Sequence, residues 1–154
     1  MKRLVLLFIA ALASGQNLAR YQALKTTSLS SAAETVTVQQ FAGTHTIKFE
    51  KAWVYCSVAC SFTLSQNGTA ATATTLTVSP VGTQPASSIH AYSGSNVGTG
   101  AYVSNAYQIP AGSTYLVDLS TMYLTKGGGT GQNLTVATSA ITGTAEITIQ
   151  WTEQ

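Results

Sequence analysis

From residue 34 onward the chain alternates apolar and polar residues in short runs, each closed by a turn signal. Alternation at period two puts successive side chains on opposite faces of an extended backbone, so each run reads as a half-buried strand. Residues 34–39 carry Val36 and Val38 on one face, and residues 61–66 carry Phe62 and Leu64. In residues 113–119 Tyr115, Val117 and Leu119 are in phase. Residues 144–152 set Ile147, Ile149 and Trp151 against Glu146, Thr148 and Gln150. Residues 44–56 place Ile47, Phe49, Trp53 and Tyr55 on one parity, which reads as a core face. Lys51 interrupts that face and predicts a bulge or an edge position there. Shorter strands are expected at 74–79, 88–92, 101–108, 123–125 and 132–138. Asn67-Gly68, Pro110-Ala111-Gly112, Ile141-Thr142-Gly143 and the glycine run 127–131 read as turns.

About eight or nine short strands rich in Thr, Val, Tyr and Ile predict an all-β fold, an antiparallel β-sandwich of jelly-roll type. Uneven loop lengths argue against an up-and-down barrel. A membrane barrel needs longer strands and aromatic girdles.

Residues 1–33 have a different character. Lys2 and Arg3 precede an apolar run over residues 4–12, and Ala11-Leu12-Ala13 supplies an A-x-A cleavage pattern before Ser14. This is the layout of a secretory signal peptide, expected as a short helical leader over residues 1–13. The run is too short for a stable bilayer span, which takes about 20 apolar residues. Leu18, Tyr21 and Leu24 then follow at helical spacing, and residues 26–33 are small and polar. Residues 14–33 therefore read as an arm or linker, and residues 34–154 as the β-sandwich domain.

Charge is scarce. Only 8% of residues are Asp, Glu, Lys or Arg, against about 25% in an average soluble protein. Of the seven basic residues, Lys2, Arg3, Arg20 and Lys25 precede the sandwich domain. The sandwich domain itself is slightly acidic, with no basic stripe to track phosphates, and nucleic acid is not an expected partner.

Cys56 and Cys60 are the only cysteines. An export signal favours their oxidation. Positions four apart on a straight strand are about 13 Å from each other, too far to bridge, so a turn must lie between them. A hairpin clasp with a three-residue loop meets that need.

The catalytic inventory is thin. The chain holds two histidines, His45 and His90, and five carboxylates: Glu34, Glu50, Asp118, Glu146 and Glu153. No nucleophile elbow, metalloprotease motif or phosphate loop occurs. No catalytic residue, metal site or cofactor is expected. A metal site from His45, His90 and Asp118, or a carboxylate pair of Glu50 with Glu146, are the arrangements the sequence would allow. Tyr92, Tyr102 and Tyr107 flank a Gly-rich loop and are candidate contacts for a partner or ligand. Asn67 and Asn133 begin glycosylation sequons.

These features lead to the expectation of a non-enzymatic, exported, surface-exposed structural or adhesive subunit of a cell-surface layer, an appendage or a virion. Self-association or contact with neighbouring structural subunits is expected. The arm over residues 14–33 could dock on such a neighbour as an added strand or helix. A secreted carbohydrate-binding module, with polysaccharide as its ligand, is the alternative. A small secreted hydrolase, with a cleft gathering at least two of His45, His90, Asp118, Glu50 and Glu146, is a second alternative.

Overall fold

The computed structural model describes residues 18–40, 45–67, 74–83, 85–94, 101–102, 104–127 and 132–154. The leader expected over residues 1–13 and the glycine run from Gly128 lie outside the described residues. The protein is all-β: two antiparallel sheets packed together. Thirteen strands occur among the described residues: β1 Ala19–Ala32, β2 Thr35–Gln39, β3 Ile47–Cys56, β4 Cys60–Gln66, β5 Thr74–Leu76, β6 Val78–Pro80, β7 His90–Ser93, β8 Ala101–Tyr102, β9 Tyr107–Ile109, β10 Ser113–Asp118, β11 Tyr123–Leu124, β12 Asn133–Thr138 and β13 Ile141–Glu153.

The first sheet runs β10-β3-β13-β1-β6, with β11 also on β3. The second runs β5-β7-β2-β12-β4-β8, with β9 also on β4. Five short corners carry the chain from one sheet to the other, β1 to β2, β3 to β4, β5 to β6, β9 to β10 and β12 to β13. The ladder between β1 and β13 holds one register from Ala19↔Glu153 to Leu29↔Gly143. The same register resumes past the bend at Thr35↔Ala137 and ends at Gln39↔Asn133. Likewise β3 pairs β10 from Asp118↔Lys51 to Ser113↔Cys56, and β4 continues with β9 at Cys60↔Ile109. The sandwich is thus one four-stranded antiparallel sheet folded across its middle. Its last long strand lies between the first and the second. Strands that switch sheets at bends are the usual way such corners are made.

The core lies between the two layers. Val36, Val38, Phe49, Phe62, Leu64, Leu134, Val136, Ile147, Ile149 and Trp151 are among its buried side chains. The inward phases of β2, β4 and β13 follow the alternation of the sequence.

Three expectations are corrected. The segment read as a helix-or-arm and linker is β1, a 14-residue strand paired with β13 along nearly its whole length. Tyr21 and Ala23 face the core, while Leu18 and Leu24 stand 40% and 50% exposed. The helical spacing of Leu18, Tyr21 and Leu24 was therefore a coincidence of one inward and two outward residues. Residues 19–32 pair within the protein's own first sheet.

The second correction concerns the disulfide. Cys56 and Cys60 are bonded, with Cα atoms 6.3 Å apart. They do not close a hairpin, because β3 and β4 belong to different sheets. The bond clasps the corner at which the chain crosses between layers.

The third concerns residues 141–143, read as a turn but part of β13. Gly143 is there for closeness: a Cβ on it would sit 2.6 Å from Ser57 Oγ. Ser57 Oγ in turn accepts the Thr144 N–H at 2.8 Å. Asn67 has φ 57°, and the rest of the turn read at Asn67-Gly68 lies outside the described residues.

Candidate functional site

The outer face of the first sheet is shaped by one residue. Lys51 pairs Gln150 and Phe49 pairs Trp151, so Glu50 is the extra residue of a bulge. A one-residue slip moves every later side chain to the other face. Beyond the bulge Ala52, Val54 and Cys56 are buried, while Lys51, Trp53 and Tyr55 turn outward and are half-buried. The bulge was expected at Lys51. The core placement of Trp53 and Tyr55 was not correct, because their parity was carried through it.

Trp53 joins a row that crosses the sheet, Leu24–Thr148–Trp53–Leu116. Leu24 and Leu116 are 50% and 57% exposed. Flanking rows are polar: Gln22–Gln150–Lys51–Asp118 on one side, Thr26–Glu146–Tyr55–Thr114 on the other. Lys51 Nζ lies 4.9 Å from the centre of the Trp53 ring, at cation–π distance. The result is an exposed apolar stripe that ends on β10.

The outer face of the second sheet is polar. Its register aligns Tyr92–Thr37–Thr135–Ser65–Tyr102 across five strands. Thr37 and Thr135 are buried and share a hydroxyl–hydroxyl hydrogen bond of 2.9 Å. Thr35 donates its hydroxyl to the Gly94 carbonyl. The next row holds His90, Gln39 and Asn133. Gln39 Oε1 and Gln40 Oε1 are buried without a hydrogen-bond partner among the described residues. Gln40 Nε2 donates to the His45 carbonyl at 2.6 Å.

The three candidate tyrosines do not converge. Tyr92 faces outward on β7, and its hydroxyl meets His90 Nδ1 at 3.0 Å. Tyr107 sits near the opposite edge of the same sheet and faces inward. It stacks on Phe62 with ring centres 4.8 Å apart and meets Tyr115 at 5.3 Å, closing the gap between the sheets there. Tyr102 is in register with Tyr92's row through Ser65.

The five carboxylates and two histidines all bond within the fold, four of them across segments distant in sequence and Glu34, Asp118 and His90 to residues one or two positions away. Glu50 pairs Arg20 at 2.9 Å. Glu146 accepts the Thr26 hydroxyl at 3.1 Å. Glu34 accepts the Thr35 N–H at 3.0 Å. Asp118 caps the turn after β10 by accepting the Ser120 N–H at 2.8 Å. That backbone bond, then the Ser120 side chain, holds its carboxyl below the ordinary range. Glu153, buried at the end of β13, accepts hydrogen bonds from the Ser87 hydroxyl and from Ser88 Oγ at 2.9 Å. Ser88 Oγ also meets His45 Nδ1 at 3.2 Å. Tyr21 beside this cluster donates its hydroxyl to the Pro85 carbonyl at 3.1 Å. Burial first, and the negative charge of Glu153 second, push its phenol above the usual value.

The arrangements the sequence allowed for chemistry are not assembled. His90 stands on the outer face of one sheet and Asp118 on that of the other. No group of three potential metal ligands occurs among the described residues. Glu50 and Glu146 sit at separate places along the outer face of the first sheet, each on its own partner. Of the two sequons, Asn67 is exposed, whereas Asn133 is fully buried.

Two clefts open at the surface. One of about 290 Å³ is bounded by Gln66, Asn67, Tyr123 and Gln132. The other, about 490 Å³ and shallow, lies beside the disulfide between Cys60, Ile109, Pro110 and Ser139. Neither is lined by a histidine or a carboxylate. No helix among the described residues is long and apolar enough to cross a membrane. The sequence matches no protein-family model and no curated protein.

Proposed function

We infer that this is an exported structural subunit, built as a jelly roll and working by assembly into a cell-surface layer, an appendage or a virion. The jelly-roll reading rests on the strand order. The strands that bend from one sheet into the other, and the placement of β13 between β1 and β3, support it. That double-sheet plan is used by capsid and lectin domains alike, so the site must decide between them. The observation that carries the structural reading is the use made of ionisable side chains. Glu50, Glu146, Glu153 and His45 hold segments distant in sequence to one another, while Glu34, Asp118 and His90 bond to residues one or two positions away. The disulfide at the corner fits an oxidising compartment.

The test is the N-terminal residue of the protein recovered from its host's surface or particle fraction. A start at or near Ser14, in that fraction, is the expected result. Recovery of the intact chain from the cytosol would overturn the proposal.

A polysaccharide-binding role is favoured by one observation, the register that lines up the positions of Tyr92 and Tyr102 across the second sheet. Affinity electrophoresis on soluble polysaccharides, with Tyr92→Ala and Tyr102→Ala variants, tests it. Retardation lost in both variants would select the lectin-like role; unretarded wild-type protein would remove it.

A further inference from the structure

The two lateral edges of the folded sheet are treated differently. At the β1–β2 edge, β6 pairs β1 through Tyr21↔Pro80 and Ala23↔Val78, and β7 covers β2 through four residue pairs. At the other edge β10 pairs β3 on one side, and no described residue pairs its other side. An open edge is normally guarded by Lys, Pro, a bulge or a covering loop. β10 reads Ser-Thr-Tyr-Leu-Val-Asp: no Pro, no Lys, one charge at its end, and an unbroken register with β3. Leu116 at its middle is 57% exposed.

The ladder fixes which backbone groups are on offer. Leu119 N–H donates to the Glu50 carbonyl at 2.9 Å, so Leu119 belongs to the set bonded to β3. Antiparallel alternation places Val117 and Tyr115 in the same set. The N–H and C=O groups of Thr114, Leu116 and Asp118 therefore point away from β3, into the open edge.

We propose that β10 is the self-association edge of this protein, and that two copies join there as an antiparallel, two-fold pair centred on Leu116, making one continuous sheet. This rests on the proposed structural role and names its surface. The register is selected by complementarity. With Leu116 opposite its own mate, Thr114 faces the mate's Asp118, a hydroxyl against a carboxylate, and Tyr115 faces Val117. Each outward-pointing residue then meets another outward-pointing one, so the exposed N–H and C=O groups close on each other. On the outer surface the Trp53–Leu116 stripe of one copy runs into the Leu116–Trp53 stripe of the next, joining two exposed apolar rows. A closed two-fold contact of this kind is isologous and does not by itself propagate into fibres.

Sedimentation equilibrium of the oxidised mature protein over about 1 μM to about 1 mM, for wild type and Leu116→Lys, is the first measurement. The lysine sets like charges against each other on the two-fold axis, and association is expected to weaken about a hundredfold. Leu116→Cys provides the second. Facing Cα atoms in a hydrogen-bonded antiparallel pair are about 5.5 Å apart, within disulfide reach. Under mild oxidation Leu116→Cys should cross-link into dimers, while Leu24→Cys, 50% exposed but on β1, three strands in from this edge, should not. Wild-type association unchanged in Leu116→Lys, or equal cross-linking of both cysteine variants, would overturn the β10 edge while leaving the structural role standing. A wild-type monomer across the whole range would overturn the β10 edge as well. Location in the host, by contrast, bears on the structural role alone.

Discussion

Single side chains hold this fold at the far end of β13. Trp151 is fully buried and lies 6.3 Å from Tyr21, ring centre to ring centre. Trp151→Ala is expected to cost about 3–5 kcal/mol, by lost transfer energy and the cavity left behind. Denaturant unfolding measures this directly. Tyr21→Phe keeps the ring and removes only its hydrogen bond to Pro85, at a cost of about 1 kcal/mol. The same variant carries a pH signature. Tyr21's phenol is raised in the folded state, by burial and then by Glu153. A raised folded value means the native state holds the proton more tightly than the unfolded chain. The associated stability is complete below the unfolded value of about 10 and is lost as pH rises through the folded one. Melting temperature followed from about pH 8 to about pH 12 should fall less steeply in Tyr21→Phe than in wild type. Identical slopes would contradict the assignment.

At the scale of elements, two local irregularities decide which side chains face where. Deleting Glu50 removes the bulge and restores strict alternation along β3. Lys51 would then follow Phe49 in plain alternation, so that Trp53 and Tyr55 keep facing outward and Cys56 keeps the corner it shares with Cys60. The deletion is expected to leave the bond between Cys56 and Cys60 in place, with no thiol titrating in native conditions, as in wild type; two titratable thiols would contradict the assignment of Glu50 as the extra residue. Gly143→Ala is expected to destabilise by about 1–3 kcal/mol, since its methyl group must displace Ser57 from the corner. Ser57→Gly in the same chain should recover part of that loss.

These elements also show what the sequence could convey. Inward phases of β2, β4 and β13 were legible because each is set by local alternation over a face the core covers. The Lys51 irregularity was legible as a break in pattern. Its consequence for Trp53 and Tyr55 was not, since only pairing with β13 shows that Glu50 is the extra residue. β1 was missed for a related reason. Its outward residues are small or polar, its leucines imitate helical spacing, and its partner lies more than a hundred residues away in sequence. Gly143 read as a turn because closeness to Ser57 is a tertiary fact.

For the whole molecule, the two sheets and their corners explain both the cysteine spacing and the arrangement of possible interaction surfaces. The three residues between Cys56 and Cys60 serve a change of layer, and the bond restrains a short loop. Its contribution is expected to be about 2 kcal/mol or less. Reduction should lower the melting temperature by a few degrees, and an unchanged transition would show that the corner is held by packing alone. The candidate site was less legible than the fold. Tyr92 and Tyr102 share a row through β2, β12 and β4, which no local pattern announces, while Tyr107 belongs to the closure between the sheets. The exposed Leu24–Trp53–Leu116 stripe is also assembled from three strands distant in sequence.

The central claim is that the protein works by being part of something larger. Sedimentation of the host's own surface or particle fraction, followed by quantification of this chain, tests it most directly. The structural role predicts that the protein co-sediments in a fixed ratio to the other components. Recovery of all of it as a free monomer in the supernatant would contradict that role.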